Sequence, residues 1–209
     1  ARAVGMFAFA LWNKRERTLI LARDRAGKKP LYYYRTGELL LFGSELKALC
    51  AHPALIREID RTALGQHFIN GYILAPRSIF KNVHKLLPAH YLVIDSNGRE
   101  TLKEYWRLAD TPRDSYRGTF ADAAEQLEEL LLNAFSYRLV SDVPVGLFLS
   151  GGIDSSLVAA ILKKRADVDI LNITIGFREK AYDESAKARQ VSEELGLRQI
   201  VHHVGKQEV

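Results

Sequence analysis

Over the first half of the chain, short apolar runs alternate with polar turns. Phe7-Ala8-Phe9-Ala10-Leu11-Trp12 and Thr18-Leu19-Ile20-Leu21-Ala22 flank a polar stretch at 13–17, the pattern of a β-hairpin. Pro30-Leu31-Tyr32-Tyr33-Tyr34 and Leu39-Leu40-Leu41-Phe42 form a second pair around Thr36-Gly37. Tyr91-Leu92-Val93-Ile94 and the run 101–106 form a third around the turn-favouring Asn97-Gly98. Residues 44–52 and 60–71 read as short helices. The pattern predicts a strand-rich, antiparallel α+β region over 1–107.

Beyond Trp106 the rhythm changes. Residues 108–118 are polar and read as a linker. Thr119 can cap a helix, with Asp122 as an acidic partner in its first turn. Ala123, Leu127, Leu130, Leu131, Ala134 and Phe135 then recur at spacings of three and four, giving one apolar face. From Val143 onward strand and helix alternate. Val145-Gly146-Leu147-Phe148-Leu149 reads as a buried parallel strand. A helix is expected over 154–164, a strand over 169–177 and a helix over 183–195. Gly196 stands at the C-cap, and a third strand is expected over 198–204. This βαβαβ order predicts a parallel α/β sheet over 119–209.

Composition narrows the class only a little. The 209 residues are 47% hydrophobic and 26% charged, as expected of a folded globular chain. No apolar run is long enough to span a membrane, and the N-terminus is too short and weakly apolar for a secretory signal. The net charge of +5 comes from 30 Lys and Arg against 25 Asp and Glu. Those charges are dispersed, with no basic block of the kind a nucleic-acid arm carries. Cys50 is the single cysteine, so no internal disulfide forms, and its setting before His52-Pro53 points to burial at a helix end.

The segment that carries chemistry is Leu149-Ser150-Gly151-Gly152-Ile153-Asp154-Ser155-Ser156. It joins a strand to a helix at the strand's carboxyl end, where open α/β sheets bind ligands. Adjacent glycines let the backbone approach an anion, and the helix N-terminus aims unpaired N–H groups at the same point. Ser150, Ser155 and Ser156 add hydroxyls. Asp154 discriminates among phosphate loops, because a carboxylate beside a phosphate calls for a bridging cation such as Mg²⁺. The turn is neither a Walker A loop nor a dinucleotide fingerprint. A purely structural glycine turn capped by Asp and Ser is the competing reading. His202-His203 could suggest a metal, but adjacent strand residues face opposite ways.

Ser150-Gly151-Gly152-Ile153-Asp154-Ser155 resembles the pyrophosphatase-type loop of ATP-dependent enzymes that adenylate their substrates. Val143-Pro144-Val145-Gly146-Leu147-Phe148-Leu149, Thr174-Ile175-Gly176-Phe177 and Tyr182-Asp183-Glu184 are similar to the asparagine synthetase family. The first half resembles that family's glutaminase domain at Gly5-Met6-Phe7-Ala8-Phe9-Ala10-Leu11-Trp12, at the run 23–33 and at Ser44-Glu45-Leu46-Lys47-Ala48-Leu49. The run 71–76 and the run 79–86 continue the likeness.

The resemblance implies a truncated antiparallel Ntn-type glutaminase domain over 1–107. A parallel-sheet domain of the adenine-nucleotide alpha-hydrolase (PP-loop ATPase) type would follow over 119–209. It implies ammonia release from glutamine, coupled to Mg-ATP-dependent adenylation of an aspartate carboxylate that ammonia then attacks. Leu149 and Ile175 would touch adenine or ribose, although both would also suit a plain sheet core. Ser150, Gly151, Gly152 and Ser155 would hold pyrophosphate, and Asp154 would bind Mg²⁺. ATP and Mg²⁺ are thus the implied cofactors, with glutamine and aspartate as substrates, no nucleic acid and a cytoplasmic setting. A homodimer of the full-length protein is compatible with the resemblance.

The departures are equally specific. The family's glutaminase nucleophile is an N-terminal cysteine, whereas this chain begins Ala1-Arg2, and Arg2-Ala3-Val4 stands where the family carries an acidic residue. The chain is therefore expected to be a fragment without its own glutaminase nucleophile, ending before the residues that bind the acceptor. A related amidotransferase with another carboxylate acceptor, and a non-catalytic nucleotide-binding module, remain the alternatives.

Overall fold

The computed structural model describes residues 3–37, 39–111, 115–166, 170–179 and 181–205. The chain forms two compact units, residues 1–113 and 114–209.

In the first unit, β1 (Ala8–Asn13), β2 (Thr18–Arg23), β6 (His90–Ile94) and β7 (Glu100–Glu104) form an antiparallel sheet in the order β1-β2-β6-β7. A second antiparallel sheet has the order β4-β3-β5, from β3 (Tyr32–Thr36), β4 (Leu39–Gly43) and β5 (Val83–Lys85). The three expected hairpins all form. The short strand β5 carries no pattern of its own in the sequence; it exists because it pairs with β3. Period-two alternation divides the smaller sheet between two cores. Tyr33 and Leu40 pack against Leu21, Leu92 and Ile94 of the larger sheet. Tyr34, Leu39 and Leu41 pack on the other side against Leu49 of α1 (Leu46–Cys50).

Local chemistry sets the ends of these elements. Asp60 caps α2 (Arg61–Asn70) by accepting from the N–H groups of Thr62 and Ala63, and Gly71 closes it at φ 75°. In the β6–β7 connection Gly98 alone takes a left-handed conformation. Asp95 gathers the N–H groups of Asn97 and Arg99 onto Oδ1, so the link is a longer, side-chain-braced loop rather than a bare two-residue turn. Cys50 ends α1, as expected, and is half-buried against the Tyr34 core.

The second unit begins, after a 3-10 turn at Leu108–Asp110 in the first, with α3 (Phe120–Ser136). Thr119 and Asp122 form a reciprocal capping box there. A parallel sheet of order β10-β9-β8 follows, from β8 (Gly146–Phe148), β9 (Leu171–Phe177) and β10 (Gln199–Val204). Its helices are α4 (Ile153–Arg165) and α5 (Ser185–Leu195), and Gly196 ends α5 in the left-handed region.

Two expectations need correction here. The 145–149 strand is parallel but not buried: β8 lies at a sheet edge, Phe148 is exposed, and only Leu149 is enclosed. A run of apolar residues cannot report which face of its strand a packed layer covers. The apolar stripe of α3 is likewise only half covered, with Leu127 and Leu130 exposed. Among the described residues no helix is long and apolar enough to cross a membrane.

Candidate functional site

The loop 149–155 leaves β8 and enters α4. Its first residue, Leu149, is buried and extends the parallel ladder by one bond, its N–H donating to the Ile173 carbonyl at 2.9 Å. Gly151 then turns the chain at φ 75°. A Cβ on Gly151 would stand 2.6 Å from the Ala188 nitrogen and 2.7 Å from the Lys187 carbonyl carbon. The turn is therefore pressed against the backbone of α5, and only glycine fits. Gly152 has an ordinary extended conformation as the N-cap of α4 and carries no side-chain cap.

Ser150 and Ser155 face each other across this turn. Their hydroxyl oxygens lie 3.1 Å apart, and the Ser150 N–H donates to Ser155 Oγ at 3.3 Å. Gly152 N–H donates to Ser150 Oγ, also at 3.3 Å. These long contacts leave both hydroxyls able to turn toward a ligand. The α4 ladder starts with Ser156 N–H on the Gly152 carbonyl, so the amides of 153–155 point out of the helix end without helical partners. Asp154 sits in that first turn, exposed, while Lys163, Lys164 and Arg165 occupy the last, an arrangement that matches the helix dipole.

Ser156 does not belong with the other two serines. Its hydroxyl is buried without a hydrogen-bond partner, because successive helix residues point about 100° apart. Contrary to expectation, Ser156 adds no hydroxyl to the cradle.

Ile175 comes from the middle strand. Asn172 N–H donates to the Arg198 carbonyl, and Ile173 C=O accepts from Leu149, so even-numbered peptide groups of β9 face β10 and odd-numbered ones face β8. Those of Ile175 thus face the side of β8 beyond its last residue, Phe148. The side chains of Ile173, Ile175 and Phe177 share one sheet face. With Phe148, Leu149 and Ser150 they line a cleft of about 300 Å³, to which Tyr182 and Glu184 also contribute. Leu149, Ser150 and Ile175 are thereby brought to one place. Phe148, Ile173, Phe177, Tyr182 and Glu184 were not anticipated as site residues, although alternation along 173–177 would have grouped the β9 members with Ile175.

Asp183, at the end of β9's outgoing loop, is already committed. It accepts from the N–H of Ser185 at 3.1 Å, the Ser185 hydroxyl at 3.0 Å and the N–H of Phe177 at 3.3 Å. The Ser185 N–H, more than any other group, holds its carboxyl below the usual range. His203 lies against Gly176, where a Cβ would come within 2.7 Å of the imidazole. Its neighbour His202 pairs instead with Ile175. Among the described residues no three His, Cys, Asp or Glu side chains converge as a metal cage.

The first unit holds a larger hollow of about 640 Å³, bounded by Glu104, Tyr105, Trp106, Arg107, Asp110 and Thr111. Two of its three charged residues, Arg107 and Glu104, are paired with each other.

Comparison with known proteins agrees with both halves of the sequence. The glutamine amidotransferase domain family matches residues 1–106, and the asparagine synthase family matches residues 126–209. Glutamine-hydrolysing asparagine synthetase 3 of Bacillus subtilis is 40% identical over 158 residues, covering 75% of this chain and 25% of its own. A putative asparagine synthetase 2 of Methanocaldococcus jannaschii is 39% identical, covering 87% of this chain and 35% of its own. Asparagine synthetase 2 of Bacillus subtilis is 36% identical, covering 99% of this chain and 29% of its own. The chain thus spans about a quarter to a third of the length of these relatives.

Proposed function

The chain belongs to the glutamine-hydrolysing asparagine synthetase family, and from that membership we propose that its second unit holds Mg-ATP for adenylation of an aspartate carboxylate, while its first unit is part of the domain that frees ammonia from glutamine. The fold types that go with this reading are an Ntn-type glutaminase for residues 1–107 and a PP-loop ATPase for 119–209.

The observation that carries the proposal is the Gly151 turn. It is fixed by a backbone contact that no side chain could share, and it sets two serine hydroxyls and the amide end of α4 around one open point. Such a point suits the oxygens of a pyrophosphate. The peptide groups of Ile175 offer one donor and one acceptor beside an apolar cleft, the complement of a purine edge and face. Asp154 is the residue that would hold Mg²⁺. A single exposed carboxylate suits this ion, which keeps several waters and takes one or two carboxylates together with substrate phosphates. When bound, the ion offsets charge on the phosphate oxygens.

The chain's residues then bind and orient. Ile175 seats the base and ribose, with the buried Leu149 at the edge of the same cleft, and Ser150, Gly151, Gly152 and Ser155 restrain the β- and γ-phosphates as a leaving group. A carboxylate oxygen of the acceptor attacks the α-phosphorus, and the bond from that phosphorus to the bridging oxygen breaks. Pyrophosphate departs, and ammonia displaces AMP from the acyl carbon to give the amide. A carboxylate needs this activation because oxide is a poor leaving group.

The test is ATP–pyrophosphate exchange by the protein in its full length. Exchange that requires both Mg²⁺ and aspartate supports the proposal. Exchange that ignores aspartate but responds to another carboxylate would reassign the acceptor, and no exchange with any acceptor would remove the adenylation reading.

A further inference from the structure

Where β8 ends, the parallel ladder is completed by a side chain. Leu149 N–H still bonds the Ile173 carbonyl, and in a continuing ladder the Leu149 carbonyl would accept from the Ile175 N–H. It accepts instead from the Thr174 hydroxyl, at 2.7 Å. Gln199, on β10, donates its side-chain amide to the same hydroxyl at 2.8 Å. An amide nitrogen can only donate, so it occupies a lone pair of the hydroxyl and leaves its one proton to Leu149. Thr174 is 2% exposed and Leu149 2% exposed, so the Thr174–Leu149 bond lies in the interior, while the half-buried Gln199 approaches it from β10.

We infer that Thr174, with Gln199 behind it, is a positioning residue for the nucleotide loop: the relay fixes the plane of the Leu149–Ser150 peptide. The inference rests on the Mg-ATP reading of that loop. The Leu149 carbonyl and the Ser150 N–H belong to one planar peptide group. Holding the carbonyl toward Thr174 therefore aims the N–H, which meets Ser155 Oγ on the other side. Ser150 Oγ in turn receives the Gly152 N–H. A side chain on β9 and another on β10 thus set the entry angle of the loop without touching the ligand. Freed from the relay, the same peptide could rotate its carbonyl outward, presenting an acceptor where phosphate oxygens need donors.

The test compares Thr174→Val, Thr174→Ser and Gln199→Leu in the full-length protein by ATP–pyrophosphate exchange, alongside thermal unfolding. T174V keeps the β-branched shape and deletes the hydroxyl. Its KM for Mg-ATP is expected to rise about tenfold, the scale set by one unpaired buried carbonyl, with kcat and the KM for aspartate changing far less. T174S should restore the wild-type KM, and Q199L, which only frees the hydroxyl, should raise it about threefold. An ATP KM in T174V equal to wild type, or T174S behaving as T174V does, would overturn the inference even if both variants melt lower. Should T174V not fold, an unchanged KM in Q199L overturns it equally. Absence of exchange in the wild type refutes the nucleotide reading itself, a pattern distinct from all of these.

Discussion

Asp24 and Phe7 hold each other twice. The Asp24 N–H donates to the Phe7 carbonyl at 2.9 Å, and the Phe7 N–H returns to the Asp24 carboxylate at 3.3 Å. The same carboxylate accepts from the N–H groups of Ala26, Lys28 and Lys29. Beside it, Arg23 donates to the carbonyls of Gly27, Lys29 and Leu86. An acidic and a basic neighbour thus organise one turn from opposite sides, one collecting amides and the other carbonyls.

Asp24→Ala should destabilise the first unit by about 1.5–3 kcal/mol, because the N–H groups of Phe7, Ala26, Lys28 and Lys29 lose a buried, charged acceptor. Burial would by itself raise this carboxyl, but the amides of Lys29, Lys28, Phe7 and Ala26 together hold it below its ordinary value. A depressed carboxyl stabilises the fold above its unfolded value near ~3.9, and that contribution is lost as pH falls through the folded value. Urea unfolding of wild type and Asp24→Asn from pH 3 to 7 checks this. The wild type should lose stability more steeply below about pH 4 than the variant does.

How much of this was legible beforehand depends on range. The three hairpins, the Thr119–Asp122 capping box and Gly196 are set by residues a few positions apart, and local patterns report them. So does the gathering of Ser150, Gly151, Gly152, Asp154 and Ser155, since they share one loop. The pairing of β5 with β3 joins residues about fifty positions apart, and the exposure of Phe148 depends on what covers its face of the sheet. The Thr174–Leu149 bond is of the same kind, since nothing near Thr174 says that β8 ends opposite it.

His84 supplies a second pH response. Burial is the main force holding its pKa below the ordinary value; Arg77 adds to this, while Glu100 and Asp60 oppose it. A histidine kept neutral in the fold binds its proton more readily when unfolded. The stability it supports is present above about pH 6.5 and is lost as pH falls below that. The first unit should therefore unfold at lower urea at pH 5.5 than at pH 7.5. In His84→Gln that difference should shrink; an unchanged difference would locate the response elsewhere.

The two loop glycines should behave unlike each other. Gly151→Ala needs a left-handed residue and a Cβ 2.6 Å from the Ala188 backbone nitrogen, so it should displace the loop from α5. Gly152→Ala asks only that the Ser150 hydroxyl, 3.3 Å from the new Cβ, give slightly. A loss of about 2–4 kcal/mol is expected for the first and under about 1 kcal/mol for the second. Circular dichroism during thermal unfolding would show the difference, and equal effects would mean that the Gly151 contact is not tight.

Asp154→Ala separates a metal role from a structural one. The residue is exposed, in the first turn of α4, and makes no side-chain hydrogen bond within the loop. Its contribution to the helix through the dipole is about 0.3–1 kcal/mol, so the variant should remain folded with a nearly unchanged melting temperature. If the carboxylate holds Mg²⁺ against the phosphates, removing it leaves the ion with water and phosphate alone. The Mg²⁺ concentration for half-maximal ATP–pyrophosphate exchange should then rise about tenfold or more, the scale of one lost carboxylate ligand. Leu149→Ala should behave in the opposite sense, lowering stability through the cavity it leaves while keeping the Mg²⁺ requirement. Titrations of Mg²⁺ at fixed ATP on the three full-length proteins decide between the roles. An Asp154→Ala protein that exchanges at the wild-type rate in limiting Mg²⁺ would leave the carboxylate as a helix-capping charge, and the ion, if used, would have to be held by other groups.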